Sequence, residues 1–271
     1  MKKFKLIQMA IVACIFILSS CSNDDAQSKK SNYVLVHGAW QAPYVWQKVK
    51  ENLEKDGNQV IVVELPGHGN DHTSPSTITL DLYKEKVIDA ISKVNGKVIL
   101  VGHSLGGIII SSVAEAVPAK IEKLVYIAAY LPASGQTLDE LAHTDRDSQL
   151  GIEGNLIVDK VNYLIDVKQD QIANLFIQDG SLEIQNLVVK NYRTEPLIPF
   201  VTPVTVTAAN FGSVKKVYIK TLQDHVVSPY LQDKMITAGE VKSVYKINTG
   251  HSPFLSQPDT LSSLLIEISN N

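Results

Sequence analysis

Cysteine is nearly absent from this sequence of 271 residues. Its two cysteines, Cys14 and Cys21, both lie near the beginning of the chain. No disulfide can therefore cross-link the residues that follow Cys21. A chain of about 240 further residues can bury a sufficient apolar core without one. We therefore expect the folded part to be stabilised by packing.

Arginine is also scarce, because Arg146 and Arg193 are the only two. The chain carries 25 basic and 28 acidic residues in total, which gives a net charge of −3. Three of the basic residues are lysines within the first five positions, so the remainder is more acidic than the whole. With no basic cluster in an acidic chain, nucleic acid is not expected as a partner.

A single long, mainly apolar run extends from Leu6 to Leu18. It follows the three lysines and precedes small residues that end at Cys21, an order typical of a secretory signal peptide over residues 1–20. The run is short for a helix that crosses a bilayer, which makes a transmembrane anchor the weaker interpretation.

The end of this segment, Leu-Ser-Ser-Cys, resembles the box of bacterial lipoprotein signals, whose cysteine becomes the lipidated first residue. The resemblance implies lipidation at Cys21, a lipoprotein of the bacterial cell envelope, and contact with a membrane through the lipid anchor only. The alternative is an ordinary cleaved signal with an accidental cysteine. Residues 21–32 are polar and small, which predicts a solvated tether between the anchor and a folded domain over residues 33–271.

From Tyr33 onward, short apolar runs alternate with amphipathic segments, a pattern that predicts a mostly parallel sheet with helices on both faces. Helices are expected from Tyr44 to Lys55, after Ser228 and after Pro258, because caps, prolines and helical spacing coincide there. Strands are expected at 34–36, 60–63, 98–101, 121–129, 217–219 and 244–247.

The strand pattern lapses between Leu131 and Phe211, over a length far beyond an ordinary connection. Helical periodicity occurs instead at 137–143, 169–178 and 182–192. We expect an inserted, mainly helical cap at about 131–210 that covers the carboxyl edge of the sheet. A separate second domain is the alternative.

The segment Gly102-His103-Ser104-Leu105-Gly106 lies between the run at 98–101 and a segment that can form a helix. A strand followed by a sharp turn and a helix is the setting of a nucleophile elbow, and glycines two residues on either side leave room for it. Ser104 is therefore the candidate nucleophile. A glycine-rich turn that binds phosphate is the alternative interpretation.

A serine nucleophile needs a base and an orienting acid, which follow it in the order acid, then histidine. His251 follows the strand at 244–247 and is the candidate base. Asp224 follows the strand at 217–219 and is the candidate acid, although a turn-forming aspartate is the plainer interpretation. The two backbone donors of an oxyanion hole are expected at Ala39 and Leu105, after the first strand and after the nucleophile.

Five segments together resemble one branch of the α/β-hydrolases, which includes plant methylesterases, hydroxynitrile lyases and bacterial esterase-like proteins. The resemblance implies the α/β-hydrolase fold, Ser104, Asp224 and His251 as a triad, Ala39 and Leu105 as the oxyanion hole, and no metal or organic cofactor. The segments are HGAW at 37–40, LPGHG at 65–69, VGHSLGG at 101–107, FGSV at 211–214 and GHSPFL at 250–255.

The lyases of that branch are similar to one another in carrying threonine after the first histidine and lysine after the catalytic one. Here those positions hold Gly38 and Ser252. We therefore expect a serine esterase that cleaves a small, apolar or aryl carboxylic ester through an acyl-enzyme. A ligand-binding protein with little turnover and a lyase of the hydroxynitrile type remain alternatives, and the oligomeric state stays open.

Overall fold

A computed structural model describes residues 30–271, and a six-stranded sheet forms its centre. Every neighbouring pair of strands in this sheet is parallel. The spatial order is β2-β1-β3-β4-β8-β9. These strands are β1 (Asn32–Val36), β2 (Gln59–Val63), β3 (Val98–His103), β4 (Ile121–Ile127), β8 (Lys215–Thr221) and β9 (Ser243–Ile247).

The order of the strands reverses at β1, because β2 lies on one side of it and β3 on the other. Open parallel sheets bind ligands at such a reversal, beyond the carboxyl ends of the strands. The chain leaves β1 toward Ala39 and leaves β3 toward Ser104. The topology therefore brings these two candidate site residues to the same crevice.

Alternate residues of the strands enter two separate apolar cores, one on each face of the sheet. Leu35 and Val101 pack with α1 (Gln47–Lys55) and α10 (Pro258–Asn270). Val34 and Leu100 pack on the other face, with α2 (Leu80–Ser92), α3 (Gly106–Ala116) and α8 (Pro229–Ala238). This double burial explains why the strands read as continuous apolar runs, and it confirms the predicted α/β-hydrolase architecture.

The segment between β4 and β8 forms four short helices and three short strands. The helices are α4 (Leu138–His143), α5 (Ile172–Phe176), α6 (Leu182–Asn191) and α7 (Ile198–Val201). The strands β5 (Leu156–Asp159), β6 (Leu164–Val167) and β7 (Glu195–Pro196) form an antiparallel sheet in the order β5-β6-β7. The sequence did not predict this small sheet, because β7 has two residues and Ile157 and Val158 of β5 are exposed.

The helices expected in this segment agree closely with the structure at two of the three places. Helices α4 and α6 begin directly after Thr137 and Ser181, whose side chains accept backbone N–H bonds as N-caps. The third, expected over 169–178, is divided into a 3-10 turn at Gln169–Gln171 and the short α5.

The first described residues correct the boundary of the predicted tether. Asn32 begins β1, and the buried Ser31 donates its backbone N–H to Oδ1 of Asn58 at 3.0 Å. The tether expected over 21–32 therefore reaches too far into the domain. The signal peptide expected over 1–20, Cys21 and the rest of the tether up to residue 29 lie outside the described residues. In the part of the chain that is described, no helix has both the length and the apolar character to span a membrane.

Candidate active site

Ser104 lies on a strained turn between β3 and α3. Its φ of 53° is in the left-handed region, and a non-glycine residue there costs on the order of 1–3 kcal/mol. Hydrogen bonds hold the turn, because the Ser104 carbonyl accepts the N–H groups of Gly107 at 3.0 Å and Tyr130 at 3.1 Å. A Cβ on Gly102 would lie 2.6 Å from the carbonyl oxygen of Gly106. The turn can close only because position 102 has no side chain.

His251 and Asp224 meet beyond the ends of β9 and β8. Nδ1 of His251 lies 3.0 Å from Oδ1 and 2.9 Å from Oδ2 of Asp224. Both side chains are almost wholly buried. Three further groups orient the carboxylate: the N–H groups of Val226 and Val227 donate to Oδ1, and the hydroxyl of Thr221 donates to Oδ2. With its Nδ1 proton donated to Asp224, the neutral imidazole has its free lone pair on Nε2.

His103 supports the backbone of His251. Its Nε2 donates to the His251 carbonyl at 2.8 Å, and the two rings lie 4.5 Å apart. Burial, followed by the electrostatic influence of the neighbouring His251 ring, holds the pKa of His103 well below its usual value. His103 is therefore neutral and contributes position rather than charge.

The loop after β1 lies directly against the nucleophile. A Cβ on Gly38 would be 2.8 Å from Cβ of Ser104 and 2.7 Å from Nδ1 of His103. Ala39 and Leu105, the expected oxyanion donors, line one cavity together with Ser104. Position 38 thus has no room for the threonine of the lyases. Ser252 is buried as well, with its hydroxyl accepting from Nε2 of Gln41 at 3.0 Å.

The cavity has a volume of about 410 Å³ and separates the sheet edge from the inserted segment. Most of its wall is apolar. Its acidic lining residues are Asp139, Asp145 and Glu153, and no lysine or arginine of residues 30–271 lines it. The apolar wall includes Trp40, Leu138, Leu150, Leu156, Ile165 and Phe200.

A buried cluster beside this cavity contains a residue that the sequence analysis missed. Glu195 of β7 accepts the Trp40 N–H at 2.7 Å and the Nε2 proton of His68 at 2.8 Å, both on Oε2. Its Oε1 accepts the hydroxyl of Tyr83 at 3.2 Å. His68 belongs to the LPGHG segment, but its partner lies 127 residues further along the chain. No sequence motif marked Glu195.

In residues 30–271, no group of three or more histidine, cysteine, aspartate or glutamate side chains is arranged to hold a metal ion.

Comparison with known proteins agrees with this geometry. The model of the alpha/beta hydrolase family matches residues 33–264. Methylesterase 17 of Arabidopsis thaliana is 30% identical over 254 residues, which cover 88% of this chain and 91% of that protein. The Arabidopsis protein named "Putative methylesterase 14, chloroplastic" is 33% identical over 248 residues, covering 87% of this chain and 71% of that one.

Solved structures resemble the chain in fold. Polyneuridine aldehyde esterase superposes with a TM-score of 0.78 at 23% identity, covering 89% of this chain and 100% of that one. Tomato methylketone synthase I with bound 2-tridecanone gives a TM-score of 0.80 at 23% identity, covering 89% and 98%. The expected resemblance to the α/β-hydrolase branch with plant methylesterases is thus confirmed.

The expected localisation is wrong. The pattern of residues 1–21 predicted a lipid-anchored lipoprotein of the bacterial cell envelope, whereas curated relatives at 31–33% identity are plant proteins named as putative chloroplastic methylesterases. The assignment relied on lysines, an apolar run and one cysteine within a short segment. Such a pattern describes charge and hydropathy, which are properties that do not identify a particular membrane.

Proposed function

Because the chain belongs to the alpha/beta hydrolase family, we propose that it is a serine hydrolase that cleaves small apolar or aryl carboxylic esters through an acyl-enzyme. Relatives named methylesterases and structural neighbours named as esterases and pyrethroid hydrolases support a carboxylic ester hydrolase. The acyl-enzyme and the substrate class are argued from the geometry and the charge of the site.

One observation carries the mechanism: the Nδ1 proton of His251 is donated to a buried carboxylate at 2.9 Å, beside a strained serine turn. This tautomer leaves Nε2 to accept the hydroxyl proton as Ser104 attacks the ester carbonyl. Asp224 stabilises the resulting imidazolium. The backbone N–H groups of Ala39 and Leu105 stabilise the negative oxygen of the tetrahedral intermediate.

The imidazolium of His251 then gives its proton to the departing alcohol, and the Ser104 acyl ester remains. Water attacks this ester with His251 again as the base. The carboxylic acid leaves, and the serine recovers its proton. Each proton that His251 accepts is returned within the same half-reaction.

The charge distribution of the cavity supports an uncharged substrate. The acidic lining residues, Asp139, Asp145 and Glu153, have no lysine or arginine beside them in the wall formed by residues 30–271. A carboxylate on the substrate would meet like charges at an apolar wall, which is unfavourable. The same field favours release of the carboxylate product.

The test is a burst experiment with a matched pair of chromogenic aryl esters that differ in one carboxylate on the acyl group. We expect a burst of phenol equal to the enzyme concentration, an acyl adduct on Ser104 by mass spectrometry, and faster turnover of the neutral ester. Turnover without an adduct would contradict the acyl-enzyme. Preference for the anionic ester would contradict the substrate class.

A further inference from the structure

The loop that carries the proposed oxyanion donor is strained one residue beyond it. Trp40 has a φ of 59°, in the left-handed region where a residue with a side chain is rare. Its N–H group belongs to the peptide that follows Ala39. A change in the backbone dihedral angles of Trp40 therefore rotates that peptide, and the rotation displaces the Ala39 N–H that precedes it.

Contacts from the inserted segment hold Trp40 in this conformation. Its N–H donates to Glu195 of β7 at 2.7 Å, a short distance typical of a charge-assisted bond. Its indole N–H donates to the carbonyl of Ile165 in β6 at 3.1 Å. The indole ring also packs against Phe176 and Phe200, at centroid distances of 5.4 and 5.7 Å.

Glu195 is fully buried, and a buried carboxylate is costly unless it is paired. His68 supplies the pairing cation. Its Nδ1 faces the Pro66 carbonyl at 3.0 Å and its Nε2 faces Glu195 at 2.8 Å. Because both acceptors are oxygens without protons to give, both ring nitrogens donate and the imidazole carries a proton on each.

We propose that Glu195, paired with His68, is a positioning residue of the oxyanion hole, fixing the left-handed turn at Trp40 and hence the Ala39 N–H. The inserted segment thereby completes the catalytic site as well as covering it. This inference rests on the proposed function, since the Ala39 N–H has a catalytic task only if Ser104 attacks an ester carbonyl and an oxyanion forms there.

The predicted signature is a loss of transition-state stabilisation with little loss of substrate binding. Displacing one donor by about 1 Å costs on the order of 10²-fold, and deleting one costs about 10²- to 10³-fold in kcat. For Glu195→Gln, which keeps the shape of the side chain but not its charge, we expect kcat to fall about 10- to 100-fold. KM should stay within about threefold, because an oxyanion donor contacts the transition state more strongly than the ester.

Glu115→Gln is the matched control. Glu115 is also a glutamate that joins a core element to a distant segment, since its carboxylate accepts the N–H groups of Thr207 and Phe211. Among the hydrogen bonds of residues 30–271, none joins Glu115 to the loop that carries Trp40. Glu115→Gln should lower the melting temperature with kcat unchanged.

The experiment measures kcat, KM, the affinity for an aryl boronic acid, and amide hydrogen exchange at Trp40. The boronic acid forms a tetrahedral adduct on the serine, so its affinity should fall in parallel with kcat in Glu195→Gln. Exchange at the Trp40 amide should accelerate as well. Tyr83→Phe, which removes only the donor to Oε1, should change kcat less than threefold. If Glu195→Gln does not fold, Glu195→Asp replaces it, because the shorter carboxylate draws back from the Trp40 N–H, and its kcat should fall more than threefold with KM unchanged.

Four results would overturn the inference. An active wild type with kcat and boronate affinity unchanged in Glu195→Gln would refute it alone. So would a rise in KM at constant kcat, which would make Glu195 a substrate-binding residue. A wild type with no ester turnover would refute the proposed function, and with it the role of Glu195 in positioning an oxyanion donor. Unchanged amide exchange at Trp40 in Glu195→Gln would refute the positioning of the Trp40 turn itself.

Discussion

The sheet edge and the inserted segment contribute to the same cavity, but they do so through different kinds of contact. Ser104, Asp224 and His251 each follow a strand of the parallel sheet by a few residues. Glu195, by contrast, reaches Trp40 across 155 residues of chain. Residues in short turns directly after strands are held at positions that the local sequence encodes. The insertion acts through long-range contacts that only packing creates.

The largest loss of activity is expected at Ser104, the proposed nucleophile at the sheet edge. Ser104→Ala should lower kcat/KM by about 10⁴- to 10⁶-fold, because the hydroxyl that forms the acyl-enzyme is gone. Folding should be unchanged, since a single oxygen is lost. Ser112→Ala is the control on α3, the helix that follows the Ser104 turn, because among the hydrogen bonds of residues 30–271 the Ser112 hydroxyl bonds only to the Ile108 carbonyl. Activity of Ser104→Ala within tenfold of the wild type, by steady-state kinetics, would exclude the proposed role.

The acid at the sheet edge should show the next largest effect. Asp224→Asn keeps the size of the side chain but cannot stabilise an imidazolium and favours the wrong tautomer of His251, so kcat should fall about 10⁴-fold. Asp233→Asn is the control on the following helix, where the carboxylate pairs with Lys220 instead. Equal losses in both variants would show that the fall reflects general disruption of this edge.

Gly38 tests how closely the two catalytic loops must approach. Gly38→Ala places a Cβ 2.8 Å from Cβ of Ser104, so either the loop or the nucleophile must shift. A displacement near 1 Å should cost on the order of 10²-fold in kcat/KM. Kinetics together with a melting curve would check this. A variant with wild-type kinetics would mean that the two loops separate freely.

The smallest effects on turnover are expected at His37 and His68, two buried histidines in contact, whose contributions to stability depend on pH in opposite directions. Burial, followed by repulsion from His68, lowers the pKa of His37 to about 3. The folded state then binds fewer protons than the unfolded one, so stability present above about pH 6.5 is lost as the pH falls toward 3. This contribution is at most about 5 kcal/mol. His37→Gln should flatten that acid limb in urea unfolding.

His68 should behave in the opposite way. Burial lowers the pKa of His68, but the interaction with Glu195 outweighs burial and raises this pKa overall. Arg193 acts in the same direction as burial, and the rings of Tyr83 and His37 also lie against His68. Its stabilising contribution is present below its ordinary pKa and is lost as the pH rises through the raised value. His68→Gln should flatten this alkaline limb. Exposed His143→Gln should alter neither limb, and identical pH profiles for all three variants would contradict both assignments.

Much of the fold could be predicted because its signals are local. Runs such as the one at 98–101 are buried on both faces, and caps such as Thr137 and Ser228 start helices within one residue of the expected position. The small sheet of the insertion could not be predicted. Its strands have two to four residues, and Ile157 and Val158 are exposed where a buried face would have given an alternating pattern.

The sequence by itself determined the parallel sheet, the serine turn and the strand-end positions of Ser104, Asp224 and His251, the proposed nucleophile, acid and base, because each depends on residues within a few positions of one strand end. Only the tertiary structure decided that His68 pairs with a carboxylate while the neighbouring His37 is neutral, and that the acidic side of the cavity comes from the insertion. Ionisation and pocket charge depend on which groups meet in the buried interior. Residues more than 100 positions apart meet there only when the chain has folded.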